Sequence, residues 1–147
     1  MIIDSQARFE WTTPITTTRV STNAYDLTSA LRDIGQSDCG QFLVGSVTTA
    51  FTAAGSATLQ CDLIQSANAD LSSADTLATI MAATGKATLV AGYTMFRYRI
   101  PIGIVTKRYV GLNWTVATGP MTAGAVSAFI TPNVDAQTYL PKGYVNF

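Results

Sequence analysis

The stretch Arg108-Tyr109-Val110-Gly111-Leu112-Asn113-Trp114-Thr115-Val116, closed by Ala117-Thr118-Gly119-Pro120, decides the fold. Successive side chains of an extended strand point to opposite faces. Val110, Leu112, Trp114 and Val116 therefore share one face, and Tyr109, Gly111, Asn113 and Thr115 share the other. The spacing predicts a sheet with one buried face and one that is polar but nearly uncharged. A Gly-Pro turn follows, then a second alternating run from Ala123 to Thr131.

Outward from that stretch, short runs rich in Thr, Val, Tyr and Phe recur, as a half-buried pleated surface prefers. They predict strands at 15–20, 23–28, 41–51, 56–65, 76–82, 88–100, 107–117 and 123–131. Turn signals separate them: Ser37-Asp38-Cys39-Gly40, Ala53-Ala54-Gly55, the Ser66–Asp75 loop, Thr84-Gly85-Lys86, Pro101-Ile102-Gly103 and Gly119-Pro120. About eight strands at this spacing predict an all-β, antiparallel β-sandwich, as a jelly roll in preference to an immunoglobulin-like Greek key. Leu27, Leu31 and Ile34 allow one helical turn after Asp26. Ala74–Ala83 fits helix or strand, and its flanks favour strand.

The ends differ from the middle. Residues 1–14 carry Ile2, Ile3, Phe9 and Trp11 without clear alternation. Residues 132–147 hold Pro132, Pro141 and Gly143, which prevent regular structure, beside Val134, Tyr139, Leu140, Tyr144, Val145 and Phe147. Leaving one such apolar side chain in water forgoes roughly 1.5–3 kcal/mol. The chain thus reads as one domain over 1–147 with extended arms at 1–14 and 132–147. Such a tail either docks on its own domain or serves as an arm on a neighbour, and the strand set, complete before Pro132, slightly favours the arm.

The 147 residues suffice for one domain with a substantial core. Charged residues are 12% of the chain, against about 25% in an ordinary soluble domain. Nine basic residues balance nine acidic ones. That balance argues against nucleic acid as a partner and against anionic membranes, both of which need an excess of Lys and Arg. No run approaches the twenty or so apolar residues of a membrane helix. Met1-Ile2-Ile3-Asp4-Ser5 lacks the basic start and apolar core of a signal peptide, so synthesis in the cytoplasm is expected. A surface this poor in charge is either a neutral, Thr-coated sandwich or one covered by a partner.

Candidates for chemistry are few. The chain has no His, which removes the commonest general base and metal ligand. Thr84-Gly85-Lys86-Ala87-Thr88 lacks the upstream glycine of a phosphate-binding loop and reads as a hairpin turn. Asp70 and Asp75, with Asn68, form either a solvated loop or a weak calcium site. Asp33 and Asp38 flank a turn and read as bonding to backbone amides. Cys61 is in phase with Leu59 and Leu63 and reads as core, whereas Cys39 sits in a turn. Both thiols are expected free, since a bridge needs Cα atoms within about 7 Å. The chain is therefore not expected to be an enzyme, and no catalytic residue, cofactor or metal is assigned.

Arg97 and Arg99 alternate with Phe96, Tyr98 and Ile100, and Lys107 and Arg108 open the next run. If those two strands pair, they make a small basic stripe. It is either a solvated strand face or a contact for an acidic patch on a protein, with nucleic acid third. Phe9, Trp11, Arg97, Arg99, Tyr139, Tyr144 and Phe147 are the candidate partner-binding residues, because aromatic and arginine side chains dominate interfaces.

Several segments carry a resemblance: Val20-Ser21-Thr22-Asn23-Ala24-Tyr25-Asp26-Leu27, Arg32-Asp33-Ile34-Gly35, Phe51-Thr52-Ala53-Ala54-Gly55, Lys86-Ala87-Thr88-Leu89-Val90-Ala91-Gly92-Tyr93, and Arg108–Gly124. Over approximately residues 20–130 the chain is similar to the capsid cement (decoration) proteins of tailed phages of the Bordetella-phage type. The resemblance implies a jelly roll on the outer surface of an icosahedral head. It implies a homodimer or trimer that bridges major capsid protein subunits and stabilises the shell, without catalysis or cofactor. The alternative is a carbohydrate-binding β-sandwich module of a phage tail or baseplate.

Overall fold

The computed structural model describes residues 4–28, 34 and 41–132. A single 3-10 turn at Ser5–Ala7 is followed by nine strands: β1 (Arg8–Pro14), β2 (Arg19–Val20), β3 (Tyr25–Asp26), β4 (Phe42–Thr52), β5 (Thr58–Ser66), β6 (Asp75–Gly85), β7 (Thr94–Arg99), β8 (Tyr109–Ala117) and β9 (Ala123–Thr131). One sheet runs β1-β9-β4-β7 and the other β2-β8-β5-β6, with β3 also on β8. Every pairing is antiparallel. If β2 and β3 count as one interrupted strand, this interleaved order is that of an eight-stranded jelly roll.

The β8 face behaves as its alternation requires. Val110, Leu112 and Trp114 are fully buried, and Val116 packs half-buried against the same core. Trp114 reaches across the sandwich to Phe96 of β7, with ring centroids 6.3 Å apart and planes tilted by 35°. Phe96 lies over Gly45, its cross-strand partner in β4. A Cβ at Gly45 would sit 2.3 Å from the Phe96 ring. Glycine here makes room for an aromatic ring that fills the centre of the core.

The opposite face of β8 is less open than its sequence suggests. Gly111 is buried beneath Leu71, which comes from the β5–β6 connection. Ile64, the Gly111 partner in β5, is buried there as well. Leu71 adopts φ 59° to make this landing.

β1 corrects the expected N-terminal arm, because residues 8–14 are a sheet strand. Phe9 and Glu10 are neighbours yet both buried. Register shifts fall on either side of Glu10, and Thr12 has φ 50°. Bulges of this kind destroy the period of two that identifies a strand. The strand expected at 88–100 starts only at Thr94. Residues 89–93 instead run beside β4 through Phe51 N–H to Leu89 O and Val47 N–H to Tyr93 O, both 2.9 Å. The ambiguous Ala74–Ala83 segment belongs to strand β6. Leu31, Cys39 and the turn around it, and the arm from 133 onward lie outside the described residues.

One polar clip joins the two sheets, and a second mends the interrupted edge of one of them. Glu10 is 1% exposed. Its carboxylate pairs with Arg19 at 2.9 Å and accepts from the Thr22 amide and hydroxyl at 3.1 and 2.9 Å. This ties β1 to the segment between β2 and β3. Within that segment Ser21 Oγ accepts from Leu112 N at 3.1 Å and donates to Asn23 O at 2.8 Å. A side chain thereby takes over a ladder bond where the strand is interrupted.

Two substitutions test these contacts by urea denaturation. Gly45→Ala is expected to lower stability by about 1–3 kcal/mol through overpacking against Phe96. Glu10→Ala is expected to lower it by about 1–3 kcal/mol, since it removes the buried acceptor of the Thr22 amide and hydroxyl and of Arg19.

Candidate interaction surface

The basic stripe expected from Arg97, Arg99, Lys107 and Arg108 does not form. β7 pairs with β4, whereas β8 pairs with β5, β2 and β3. The two runs thus lie in different sheets. Lys107 Nζ pairs with Asp75 at 2.6 Å. Arg108 forks onto Asp26, with Nε and Nη2 each 2.8 Å from a carboxylate oxygen. Asp75 is therefore engaged. Asp70 accepts from the Ser72 amide at 3.0 Å, and hydrogen bonds from Ser72 hold its carboxyl below the usual range. The two carboxylates serve the loop separately, and no group of three potential metal-ligating side chains occurs among the described residues.

Phe9 is a correction to the candidate partner-binding set. It is fully buried and belongs to the core cluster, so it contacts the domain's own interior. Trp11, two residues on, is 51% exposed. The Arg8 guanidinium stacks 4.1 Å from its ring centroid. Tyr139, Tyr144 and Phe147 lie outside the described residues.

The two ends of the sandwich differ in charge. At one end the connections 15–18, 53–57, 86–93 and 118–122 meet. Met121 N–H bonds Thr16 O at 3.0 Å and Thr122 N–H bonds Thr52 O at 2.7 Å. The hydroxyls of Thr52 and Thr122 are 2.8 Å apart. Lys86 is the only charged residue in these four connections, and its ammonium donates to Ala53 O. Val90 (51%) and Tyr93 (36%) stand exposed beside it. The opposite end holds the Asp26–Arg108 and Asp75–Lys107 pairs. There the Gln65 side-chain oxygen also accepts from the amides of Thr106 and Lys107 at 2.8 and 3.1 Å. An open groove of about 790 Å³ adjoins this charged end, with Gln6, Asn23, Tyr25, Asp26 and Tyr109 in its wall.

Arg97 and Arg99 are exposed on β7, with Phe42 of β4 beneath the Arg97 guanidinium at 5.4 Å. Arg8, Val90 and Tyr93 are surface residues that strand reasoning passes over. Arg8 belongs to the bulged β1. Val90 and Tyr93 fall in a run that reads as strand, where Ala91-Gly92 is the one local sign of a turn. Cys61 is buried, and burial together with Asp62 and Glu10 pushes its thiol pKa well up, which keeps it unreactive.

A family model, Bbp16, matches residues 9–130, from β1 into β9, and so spans both sheets. No curated protein matches the chain. No helix among the described residues is long and apolar enough to cross a membrane.

The Asp26–Arg108 pair has a signature in acid. The Arg108 hydrogen bond, followed by that from the Thr28 amide, holds the Asp26 pKa at about 2, against an ordinary value of 3.8. The folded-state value is depressed, so the contribution is full above the ordinary value and fades as pH falls through about 2. Asp26→Asn is expected to lower the thermal midpoint at pH 6, and the gap to the unmodified protein is expected to close near pH 2.

Proposed function

The chain belongs to the Bbp16 family, named for a Bordetella phage protein, and from that premise we propose that it is a structural virion protein. It binds the outer surface of the icosahedral head as a cement. There it bridges neighbouring major capsid protein subunits and stabilises the shell. The end of the sandwich that holds Lys86 as its one charged residue carries this reading. Its connections are locked by backbone hydrogen bonds before any partner arrives, so little ordering entropy is lost on docking. Its single ammonium donates to Ala53 O within the chain, so covering that end desolvates one charge rather than several. Val90 and Tyr93 supply apolar contact. A small oligomer that touches several subunits gains effective concentration for each later contact. The jelly roll is an all-antiparallel scaffold with no cofactor required for this role.

The tail or baseplate carbohydrate module is a second reading, favoured by the groove with Tyr25, Tyr109 and Asn23 in its wall. Aromatic faces beside amide groups suit sugar rings. Asp26 is already committed to Arg108 there, which leaves fewer free acceptors for hydroxyl groups.

Phage heads lacking this chain separate the two. Added protein is expected to decorate them in hundreds of copies and to raise the temperature at which packaged DNA escapes. Val90→Asp, at an exposed side chain, is expected to lower occupancy at least tenfold. A few to some dozens of copies per particle, no effect on DNA retention, and binding on a glycan array would establish the second reading instead.

A further inference from the structure

We propose that Arg8 and Trp11, on the bulged edge strand β1, form a second anchor that takes a carboxylate on an acidic segment of a partner protein. The inference rests on the head-binding reading and supplies a contact separate from that of Val90 and Tyr93.

The bulge makes the site. In an unbroken strand Trp11 would share the face of Phe9, which is fully buried. Instead Phe9 and Glu10 both turn inward, register shifts fall on either side of Glu10, and Trp11 emerges 51% exposed. Bulges re-aim side chains in this way. Thr12 follows with φ 50°, a strained conformation for a β-branched residue. The displaced amides are held by side chains. Trp11 N–H donates to Thr13 Oγ1 at 3.1 Å, and Thr12 N–H donates to Ser127 Oγ at 2.9 Å. A strained, fixed backbone thus keeps out of the core a ring that would otherwise join it.

Arg8 gives the site its charge. Its guanidinium lies 4.1 Å from the Trp11 ring centroid, and stacking of this kind orients its plane before any partner arrives. Among the described residues no carboxylate pairs with it. The acids nearest in sequence are engaged elsewhere. Asp4 accepts from the Gln6 amide at 3.0 Å, and Glu10 is buried against Arg19 and Thr22. Arg8 Nε is shielded from water and has no acceptor. The guanidinium is therefore under-satisfied in the free protein. A carboxylate forked onto its two terminal nitrogens supplies the missing charge, and the Trp11 ring packs against the stem that bears it. Tryptophan and arginine are the side chains that most often carry interface energy.

Position and charge choose the occupant. β1 forms one edge of its sheet, and residues 89–93 run along β4 on the opposite side from β9. Trp11 and Tyr93 are thus three strand spacings apart, roughly 14 Å or more. Anchors on opposite edges suit a protein that joins two subunits. A two-fold self-contact at β1 would set Arg8 against Arg8, and the bulge opposes strand addition there. Nucleic acid would gain about one phosphate contact, too little for firm binding at physiological salt.

The test uses the full chain on heads that lack it. Trp11→Ala and Arg8→Glu are each expected to reduce occupancy about tenfold or more, with the thermal midpoint little changed. Arg8→Lys is expected to fall between, because lysine keeps the charge without the fork. Soluble polyglutamate is expected to compete with the unmodified protein for heads and to shift the emission of Trp11, since Trp114, the other tryptophan, is fully buried. Should a variant fold poorly, those two polyglutamate measurements on unmodified protein decide the matter. Full occupancy by both variants while Val90→Asp loses it would overturn this anchor and leave head binding standing. Failure of the unmodified protein to bind heads would overturn both readings. Competition by a DNA oligonucleotide but not by polyglutamate, full occupancy by Arg8→Glu alone, or loss of self-association in either variant would overturn the choice of partner.

Discussion

The packing of Phe96 against Trp114 through the space left by Gly45 holds the two sheets in register. Both rings come from strands that are remote in sequence and lie in different sheets. Trp114 is fully buried, yet its indole N–H finds no hydrogen-bond partner. An unsatisfied buried donor costs about 1–3 kcal/mol. Shape therefore outweighs polarity at this position, where burying and packing a ring of this size is worth about 3–5 kcal/mol. Glu10 then ties β1 to β2 across the two sheets, and Ser21 holds the interrupted β2–β3 edge on β8.

That construction leaves four sheet edges, and each is blunted in its own way. β1 is bulged and ends in Pro14. β2 and β3 are two residues each. β6 is long and nearly uncharged, but three register shifts against β5 bend it. β7 carries Arg97 and Arg99. Bulges, short strands, proline and edge charge all oppose indiscriminate strand addition. Adhesion through sheet edges is thus suppressed. Val90 and Tyr93 stand exposed on a connection rather than on a strand edge.

Much of this architecture is legible in the chain. β8 shows in the alternation of Val110, Leu112 and Trp114, whereas β9 is buried on both faces from Gly124 onward. The jelly roll follows from strand number and spacing. What the sequence hides depends on long-range geometry. β1 conceals its strand character because a bulge places Phe9 and Glu10 inward together. Gly111 reads as part of a polar face because nothing local reveals that Leu71 will cover it. Arg97 and Arg99 are expected to join Lys107 and Arg108 because the runs adjoin in sequence. In a jelly roll, neighbouring strands often belong to opposite sheets, so the two pairs part company. The Glu10–Arg19 bond carries no local signature at all, since a bulged strand and a separate edge strand must first be brought together.

Membership of the Bbp16 family gives this scaffold a phage context. Rigidity comes from the interlocked core and the tied connections. Reconstruction of the intact particle tests the head-binding reading most directly. Density for the sandwich on the exterior of the head, across a seam between major capsid subunits, is the expected result. Density confined to the tail, or none on the virion, would contradict it.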